Sequence, residues 1–354
     1  MLINGEIPLS VFFLFRFGFF SIATWFLLDN NKNLLKYILF SIFLSSLLVT
    51  LDAFIQLNFG TNLFGYKFDI SQPDSRLSGL FKDELILGSY LTRFGPLVFL
   101  YFYLTIYLKK NNNNSLSTFL FIIYFSIYFI LIIFSGERLS LIYFFLTVLF
   151  IFLFINLIKI RKIIIISLLF GCFFLSLKPP TRVIFSTEAQ LKGSFEKKED
   201  SYTLKKIEEL PIAHIQHWRV AIQMIKNNFF FGIGPKKFRV KCNESEYYIK
   251  EGCANHPHNI YFQLFAEAGM IGFFFGIIAI TFITYNIFFT KKKYKKTSTV
   301  NNKLIITKFT LFCLFLHFFP FLPNGDLLNN WINIIIFIPI GIYLHVSSVN
   351  KINV

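Results

Sequence analysis

The sequence predicts an all-α membrane protein that crosses the bilayer several times. Of its 354 residues, 55% are hydrophobic and only 15% are charged, whereas soluble globular domains average about 25% charged residues. The 35 Lys and Arg residues against 19 Asp and Glu give a net charge of +16. High hydrophobicity excludes an intrinsically disordered protein. The long apolar runs between the basic residues also disfavour a nucleic-acid-binding protein, despite the positive charge.

Nine segments come close to the roughly 20 apolar residues that a spanning helix needs. We therefore predict about nine transmembrane helices, at 7–28, 34–57, 85–108, 116–134, 139–158, 163–178, 259–290, 304–323 and 331–347. The seventh segment is unusually long, and we expect it to begin as a surface helix before it enters the membrane. The first segment is too long for a cleavable signal peptide and has no basic stretch before it.

The short loops between these segments are alternately rich and poor in Lys and Arg. The rich loops hold Lys32, Lys36, Lys109, Lys110, Lys159, Arg161, Lys162, Lys291, Lys292, Lys293, Lys295, Lys296, Lys303 and Lys351. The opposite loops hold Lys67, Arg76, Lys82 and Arg138. Because basic residues concentrate in cytoplasmic loops, this alternation predicts that the N-terminus lies outside and the C-terminus in the cytoplasm.

This orientation places one large loop on the outer side. The predicted organisation is a transmembrane bundle at 1–178, the large loop at 179–258, and a second bundle at 259–354. Loops of this length in compact proteins are usually functional or disordered. Inside the loop, residues 217–225 have the apolar spacing of an amphipathic helix, and Gly232-Ile233-Gly234-Pro235 follows as a turn.

Two of the four cysteines, Cys242 and Cys253, lie in the large loop. In an oxidising compartment they favour a disulfide. A metal site is the alternative, because Cys253, His256 and His258 offer thiolate and imidazole ligands, although their spacing is not that of the usual zinc sites.

The segment Cys253-Ala254-Asn255-His256-Pro257-His258-Asn259 comes directly before the seventh span. An imidazole with a pKa near 6.5 can accept a proton from a sugar hydroxyl at neutral pH, which makes His258 a candidate general base. His256 and Asn259 are candidates for a supporting role. A histidine at a membrane boundary can equally be an interfacial polar residue, and His256 can serve to orient the Pro257 turn.

Four arginines on the predicted outer face complete the candidate site: Arg76, Arg138, Arg219 and Arg239. Guanidinium groups stay charged and bind phosphate oxygens in pairs, so several converging arginines suit a diphosphate. Each arginine alone could instead anchor a helix end to lipid headgroups. Ionisable residues also occur inside the spans, among them Arg16, Asp52 and Arg93, and such residues mark functional cavities by default.

Gly232-Ile233-Gly234-Pro235, followed by His258-Asn259, nine residues, Gly269, two residues and Gly272, resembles the signature of the O-antigen ligases and O-antigen polymerases. The segments 76–81 with Glu84, and 135–138, are similar to other outer-loop motifs of that family. Many ligases have an arginine shortly before the loop tryptophan, where this chain has His214 before Trp218. Arg219 or Arg239 would then replace it.

The resemblance implies a polytopic inverting glycosyltransferase of the GT-C type in the bacterial inner membrane, active on the periplasmic face without a metal or other cofactor. Its donor would be a glycan on undecaprenyl diphosphate. Its acceptor would be a lipid A-core sugar in a ligase, or a second lipid-linked repeat in a polymerase. His258 would be the general base, the arginines would hold the diphosphate, and Glu84 would support the site.

A glycolipid flippase or other transporter is the alternative function. Transport places essential charges near the middle of the bilayer, whereas transfer places them outside it. Most of the candidate residues here lie outside the predicted spans. The sequence therefore favours glycan transfer.

Overall fold

The computed structural model describes residues 15–31, 33–69, 75–108, 115–155, 158–177, 213–289 and 298–348. Within these ranges the chain is built from α-helices, and an isolated bridge between Thr61 and Lys67 is the only strand-like pairing. The predicted all-α class is confirmed.

The described helices follow the order of the predicted spans, with two additional short helices in the large loop. They are α1 (Phe15–Asn30), α2 (Leu34–Phe59), α3 (Leu87–Leu108), α4 (Ser115–Phe134), α5 (Arg138–Phe154), α6 (Ile158–Leu177), α7 (Ala213–Asn227), α8 (Phe238–Lys241), α9 (Ile260–Phe288), α10 (Ser298–Phe318) and α11 (Asn330–Ser348). A short 3-10 helix, Gly79–Phe81, precedes α3.

Each predicted span coincides with one of these helices. By length and composition, four segments of the described chain are able to cross a membrane: Leu34–Phe59, Ile160–Leu177, Ile260–Phe288 and Asn330–Ser348. Thr118–Phe134 and Arg138–Phe154 are shorter apolar helices. A polytopic membrane protein is therefore confirmed, with four clear spans in the described part of the chain.

Some predicted boundaries need correction or lie outside the described residues. The eighth span, predicted at 304–323, begins earlier and ends at Phe318. Pro320 and Pro323 explain the early end, since proline has no N–H to donate to the preceding helical turn. Residues 7–14 of the first span and 179–212 of the large loop are outside the described ranges.

The chain divides into two compact units. The terminal unit comprises residues 1–31 and 201–352, and it includes α1 and α7 to α11. The central unit comprises residues 32–200 and 353–354, and it includes α2 to α6. His258 belongs to the terminal unit, and Arg138 belongs to the central unit.

Close packing of α1 on α11 brings the first described helix to the C-terminal part of the chain. A Cβ atom at Gly341 would lie 2.7 Å from the side chain of Thr24, so only glycine allows this approach. Arg16 donates a hydrogen bond of 2.7 Å to Asn330 at the start of α11. Arg16 thus has a polar partner at a helix end.

In the central unit, two ionisable residues of the predicted spans are almost fully buried. The carboxylate of Asp52 accepts hydrogen bonds from the Asn62 side chain and the Leu63 backbone N–H. This network fixes the loop after α2. The guanidinium of Arg93 lies 5.3 Å from the ring centroid of Tyr143, which is a cation–π contact between α3 and α5.

Candidate active site

His258 occupies a backbone conformation that few residues other than glycine adopt. Its φ is 55°, in the left-handed region, where a side chain costs on the order of 1–2 kcal/mol. Its carbonyl oxygen accepts a hydrogen bond of 2.7 Å from the backbone N–H of Asn324, in the loop between α10 and α11. This contact with a distant segment helps to hold the backbone conformation from which the imidazole projects.

Asn259 anchors the other side of this turn. It is the N-cap of α9, and its side-chain oxygen accepts hydrogen bonds from the N–H groups of Tyr261 and Phe262. Its amide nitrogen donates to the carbonyl of Pro320 at 3.0 Å. One side chain thus satisfies the open end of α9 and ties it to the chain that follows α10.

Three imidazole rings meet at the turn. The centroid of the His258 ring lies 4.1 Å from that of His256 and 5.3 Å from that of His217. His217 is buried on α7, on the same helical face as the buried residues Val220, Ala221 and Met224. His217 is not among the site residues predicted from the sequence, although a polar residue on the apolar face of an amphipathic helix is a usable signal.

Backbone carbonyls determine which nitrogens of the two flanking rings carry a proton. His256 Nε2 lies 3.1 Å from the carbonyl oxygen of Asn324, and His217 Nδ1 lies 2.9 Å from that of Gly252. Because a carbonyl oxygen only accepts, both nitrogens are N–H donors. The opposite nitrogen of each ring carries a lone pair when the ring is neutral.

Burial favours the neutral form of His256. Desolvation lowers its pKa below the usual 6.5, and the nearby charge of Arg239 and the presence of His217 lower it further. The hydrogen bond with Asn324 and the charge of Asp326 oppose this effect without reversing it. His256 is consequently uncharged at neutral pH.

Arg239 belongs to a charged network beside the histidines. Its Nη2 lies 2.8 Å from Oδ2 of Asp326, which is largely buried. Oδ1 of Asp326 accepts a hydrogen bond of 2.6 Å from Gln263 of α9, and Gln263 also donates to Glu267 at 3.3 Å. Asp326 is not among the site residues predicted from the sequence, and it lies 87 residues after Arg239.

Arg219 has a different setting from Arg239. It is exposed on α7, two positions after His217, which is about 200° around the helix axis. Its side chain is therefore directed away from the face that packs against the His258 turn. Of the two loop arginines, Arg239 is the one beside the histidines.

The glycines of the predicted signature join the two halves of the motif directly. At Gly269 the backbone leaves helical geometry, with φ 67° and ψ −162°. The kink frees the carbonyls of Ala266 and Glu267, which accept hydrogen bonds from the N–H groups of Ile233 and Gly234 at 2.8 and 3.0 Å. Gly232 and Gly269 lie where a Cβ would overlap the facing backbone, so both must be glycine.

The fixed spacing between His258-Asn259 and the glycine pair therefore has a physical basis. The length of the first part of α9, from its N-cap to the kink, sets the distance between the histidine turn and the 232–235 loop. Gly272 lets the helix continue past the kink, because a Cβ there would lie 2.6 Å from the Ala268 side chain. The signature positions the chain that leads to Arg239.

A disulfide joins Cys242 and Cys253. It closes the segment that contains Gly252, whose carbonyl orients His217. The half-cystine Cys242 is fully buried among Val220, Met224 and Phe238. Cys253 thus has no thiolate to give to the alternative metal site. Among the described residues, no group of three or more His, Cys, Asp or Glu side chains is arranged to hold a metal ion.

In the central unit, Glu137 organises the turn that precedes Arg138. Its carboxylate accepts hydrogen bonds from the N–H groups of Gly88 and Ser89 at 2.7 and 3.0 Å, which caps the start of α3. Arg138 is exposed and is the first residue of α5. The partial positive charge of a helix N-terminus adds there to the charge of the guanidinium, so an anion is favoured.

Arg76 donates to two backbone oxygens, one in this turn and one in the segment before α3. Its Nε donates to the carbonyl of Ser135 at 2.9 Å, and Nη2 donates to that of Leu85 at 3.5 Å. Glu84 is exposed in the same loop. Arg76 thus holds the segment before Arg138 in place.

The structure groups the predicted residues into two sets, one in each unit. In the terminal unit, His258, His256, Asn259 and Arg239 surround one turn. In the central unit, Arg76 and Arg138 flank the 135–138 turn. The convergence of the two sets at one substrate stays a prediction.

Comparison with known protein families gives a match. Residues 119–277 match a family described as Wzy_C, O-antigen ligase. The matched segment extends from α4 to the part of α9 after the kink, and it includes Arg138, Arg239, His258 and the signature glycines. Curated proteins gave no match. The resemblance predicted from the sequence is confirmed.

Proposed function

We propose, on the premise that this chain belongs to the O-antigen ligase and polymerase family, that it transfers a glycan from undecaprenyl diphosphate to an acceptor sugar. The family indicates ligase- or polymerase-type activity. The lipid diphosphate donor, the inversion of configuration and the periplasmic location of the reaction are parts of the proposal.

The observation that carries the proposal is the close approach of the His258 imidazole to those of His256 and His217, with Arg239 near His256. A general base must reach the proton that it removes in a defined direction, and the strained turn supplies that direction. Neutral His256 adds no positive charge beside His258 at neutral pH.

In the reaction, His258 removes the proton from an acceptor hydroxyl while the oxygen attacks the anomeric carbon of the donor. The bond from that carbon to the phosphate oxygen breaks, and the electron pair leaves with the diphosphate. Attack from the side opposite to the leaving group inverts the anomeric configuration. The proton stays on His258 until it is lost to water.

Arginines stabilise the departing diphosphate. Arg239 supplies charge beside the histidines, and Arg138, in the first turn of α5, is a further proposed ligand. Fixed cations directed at developing negative charge are among the largest contributions to catalysis. Arg76 contributes by fixing the turn before Arg138, and Arg219 stays a second candidate ligand on the exposed face of α7.

Deletion of the gene, followed by analysis of the glycolipids, tests the proposal. Accumulation of undecaprenyl-linked polymer with a bare lipid A core indicates a ligase, and core with a single repeat unit indicates a polymerase. Complementation uses the wild-type chain, His258→Ala and the control Tyr248→Ala, which alters an exposed residue of the same loop. We expect only His258→Ala to fail. Unchanged glycolipids in the deletion strain, or rescue by His258→Ala, contradict the proposal.

A further inference from the structure

Three consecutive phenylalanines are exposed in the turn between α7 and α8. The exposed fractions of Phe229, Phe230 and Phe231 are 44%, 62% and 59%. Contiguous exposed aromatic rings are costly in water and mark a surface that meets another apolar phase. This Phe229–Phe231 turn belongs wholly to the terminal unit.

Backbone contacts fix the turn at one height along α9. The N–H of Met270 donates to the carbonyl of Phe229 at 2.9 Å. A Cβ at Gly269 would overlap the backbone of Phe230, so the two chains touch at the kink. The depth of the turn relative to the bilayer is therefore the depth of residues 269 and 270.

The length of α9 gives that depth. Its 29 residues extend about 43 Å, which exceeds the roughly 30 Å of the hydrocarbon core. The part after the kink, residues 270–288, is about 29 Å long and crosses the core by itself. The kink at Gly269 then lies at the boundary between hydrocarbon and headgroups, on the side of the large loop.

Side-chain exposure along α9 agrees with this boundary. From Ile260 to Met270 every residue is buried or half-buried, as expected for helix covered by protein. Exposed apolar side chains begin at Ile271 and continue with Phe274 and Phe275. The lipid-facing surface of α9 thus starts at Ile271, directly after the residues that contact the Phe229–Phe231 turn.

An aromatic row connects the turn to that surface. The ring of Phe229 lies 5.3 Å from Phe265, and Phe265 lies 4.9 Å from Phe273. The apolar surface is therefore continuous from the turn to the part of α9 inside the membrane.

We propose that the Phe229–Phe231 turn is inserted among the acyl chains of the adjacent leaflet and anchors the α7–α8 segment to the membrane surface. The lipid bilayer is the partner. Insertion holds His258 and Arg239 at the level of the headgroups, where the diphosphate of any lipid-linked molecule lies. The proposal does not depend on glycan transfer and can fail or hold separately from it.

Site-directed spin labelling of the full-length protein in phosphatidylcholine–phosphatidylglycerol vesicles tests the insertion. The free cysteines Cys172 and Cys313 are first replaced by serine, and a nitroxide is attached at Phe230→Cys. Power saturation then compares collisions with oxygen, which dissolves in hydrocarbon, and with a water-soluble nickel chelate. Phe275→Cys on α9 is the lipid-facing control, and Tyr248→Cys is the exposed control in the large loop.

We expect the label at 230 to resemble the label at 275, with oxygen collisions exceeding nickel collisions, and the label at 248 to show the reverse. A label at 230 that resembles the label at 248 overturns the proposal. The measurement is repeated with undecaprenyl phosphate in the vesicles. Protection of position 230 that arises only with this lipid identifies the isoprenoid chain as the occupant and also overturns insertion into bulk lipid.

Discussion

At the scale of single residues, the position of His258 depends on contacts from chain segments that are distant in sequence. Asn324 binds its backbone, Asn259 reaches Pro320, and His217 contributes a neighbouring ring. The turn that carries the imidazole is thus held by α9 and the loop after α10, and His217 of α7 lies beside the ring. A base held by several elements keeps its direction when substrate binds, which is what proton transfer requires.

The two candidate arginines of the large loop, Arg219 and Arg239, provide a residue-scale prediction. Arg239→Gln should reduce transfer by about a hundredfold or more, because it removes a fixed cation from the histidine cluster, whereas Arg219→Gln should reduce it by less than about tenfold. The rate of glycan transfer in proteoliposomes, with saturating acceptor, measures both effects.

Loss of Arg239 also leaves the carboxylate of Asp326 buried without its cation, which destabilises the fold. The double variant Arg239→Gln with Asp326→Asn removes that buried charge and serves as the control. We expect it to recover thermal stability without recovering transfer. Equal losses for Arg219→Gln and Arg239→Gln would show that the cation beside the histidines is not the essential one.

His256 gives a pH dependence with a defined sign. Its folded-state pKa lies below the usual 6.5, so the unfolded chain binds more protons and stability falls as the pH drops through and below 6.5. Above that value this contribution is fully present. Thermal unfolding in detergent should therefore show a lower melting temperature at pH 5 than at pH 7.5.

The matched variant His256→Gln isolates this effect. Glutamine does not titrate and its amide can still donate to the Asn324 carbonyl. The difference in melting temperature between pH 5 and pH 7.5 should shrink in the variant. An unchanged difference would assign the pH dependence to other groups.

At the scale of elements, the sequence predicts the helices well and the contacts between distant loop segments poorly. Apolar runs indicate the helices because a helix that spans the lipid needs a continuous stretch of apolar residues. No local sequence pattern indicates the pairing of Arg239 with Asp326, since these residues are 87 positions apart in the chain. The signature glycines were recognised as a pattern, but their role at the kink emerges only when residues 229–234 are placed against α9.

The kink itself is testable through its glycine. Gly269→Ala should destabilise the protein by roughly 1–3 kcal/mol or more, because φ 67° is strained for alanine and the added Cβ overlaps the Phe230 backbone. Transfer should fall with it, since the loop leading to Arg239 is displaced. Thermal unfolding and the transfer rate measure the two consequences.

Gly18→Ala is the matched control for this substitution. Gly18 lies within α1, and a Cβ there has no atom within 4 Å. Alanine at such a helical position should be neutral or stabilise by up to about 1 kcal/mol. A Gly269→Ala variant as stable as Gly18→Ala would show that α9 can straighten without cost.

At the scale of the whole molecule, the +16 net charge has a topological meaning. Fourteen of the 35 Lys and Arg residues lie in one alternating set of short loops, and this distribution predicts the orientation of the chain in the membrane. The candidate site instead uses a few arginines from the opposite loops and from the large loop. The predicted orientation therefore puts the basic residues that set topology and the arginines of the candidate site on opposite sides of the bilayer.

Reporter fusions test this separation. Alkaline phosphatase, which folds only outside the cytoplasm, should be active when fused after Gly136 or Glu251, and green fluorescent protein should be fluorescent when fused after Lys110, Lys162 or Lys293. The loop with His258 would then face the periplasm, together with Arg138. The reverse pattern would place the histidine cluster in the cytoplasm. Because the lipid-linked donor of the proposed reaction is presented at the periplasmic face, that result would remove the proposed reaction while leaving the fold intact.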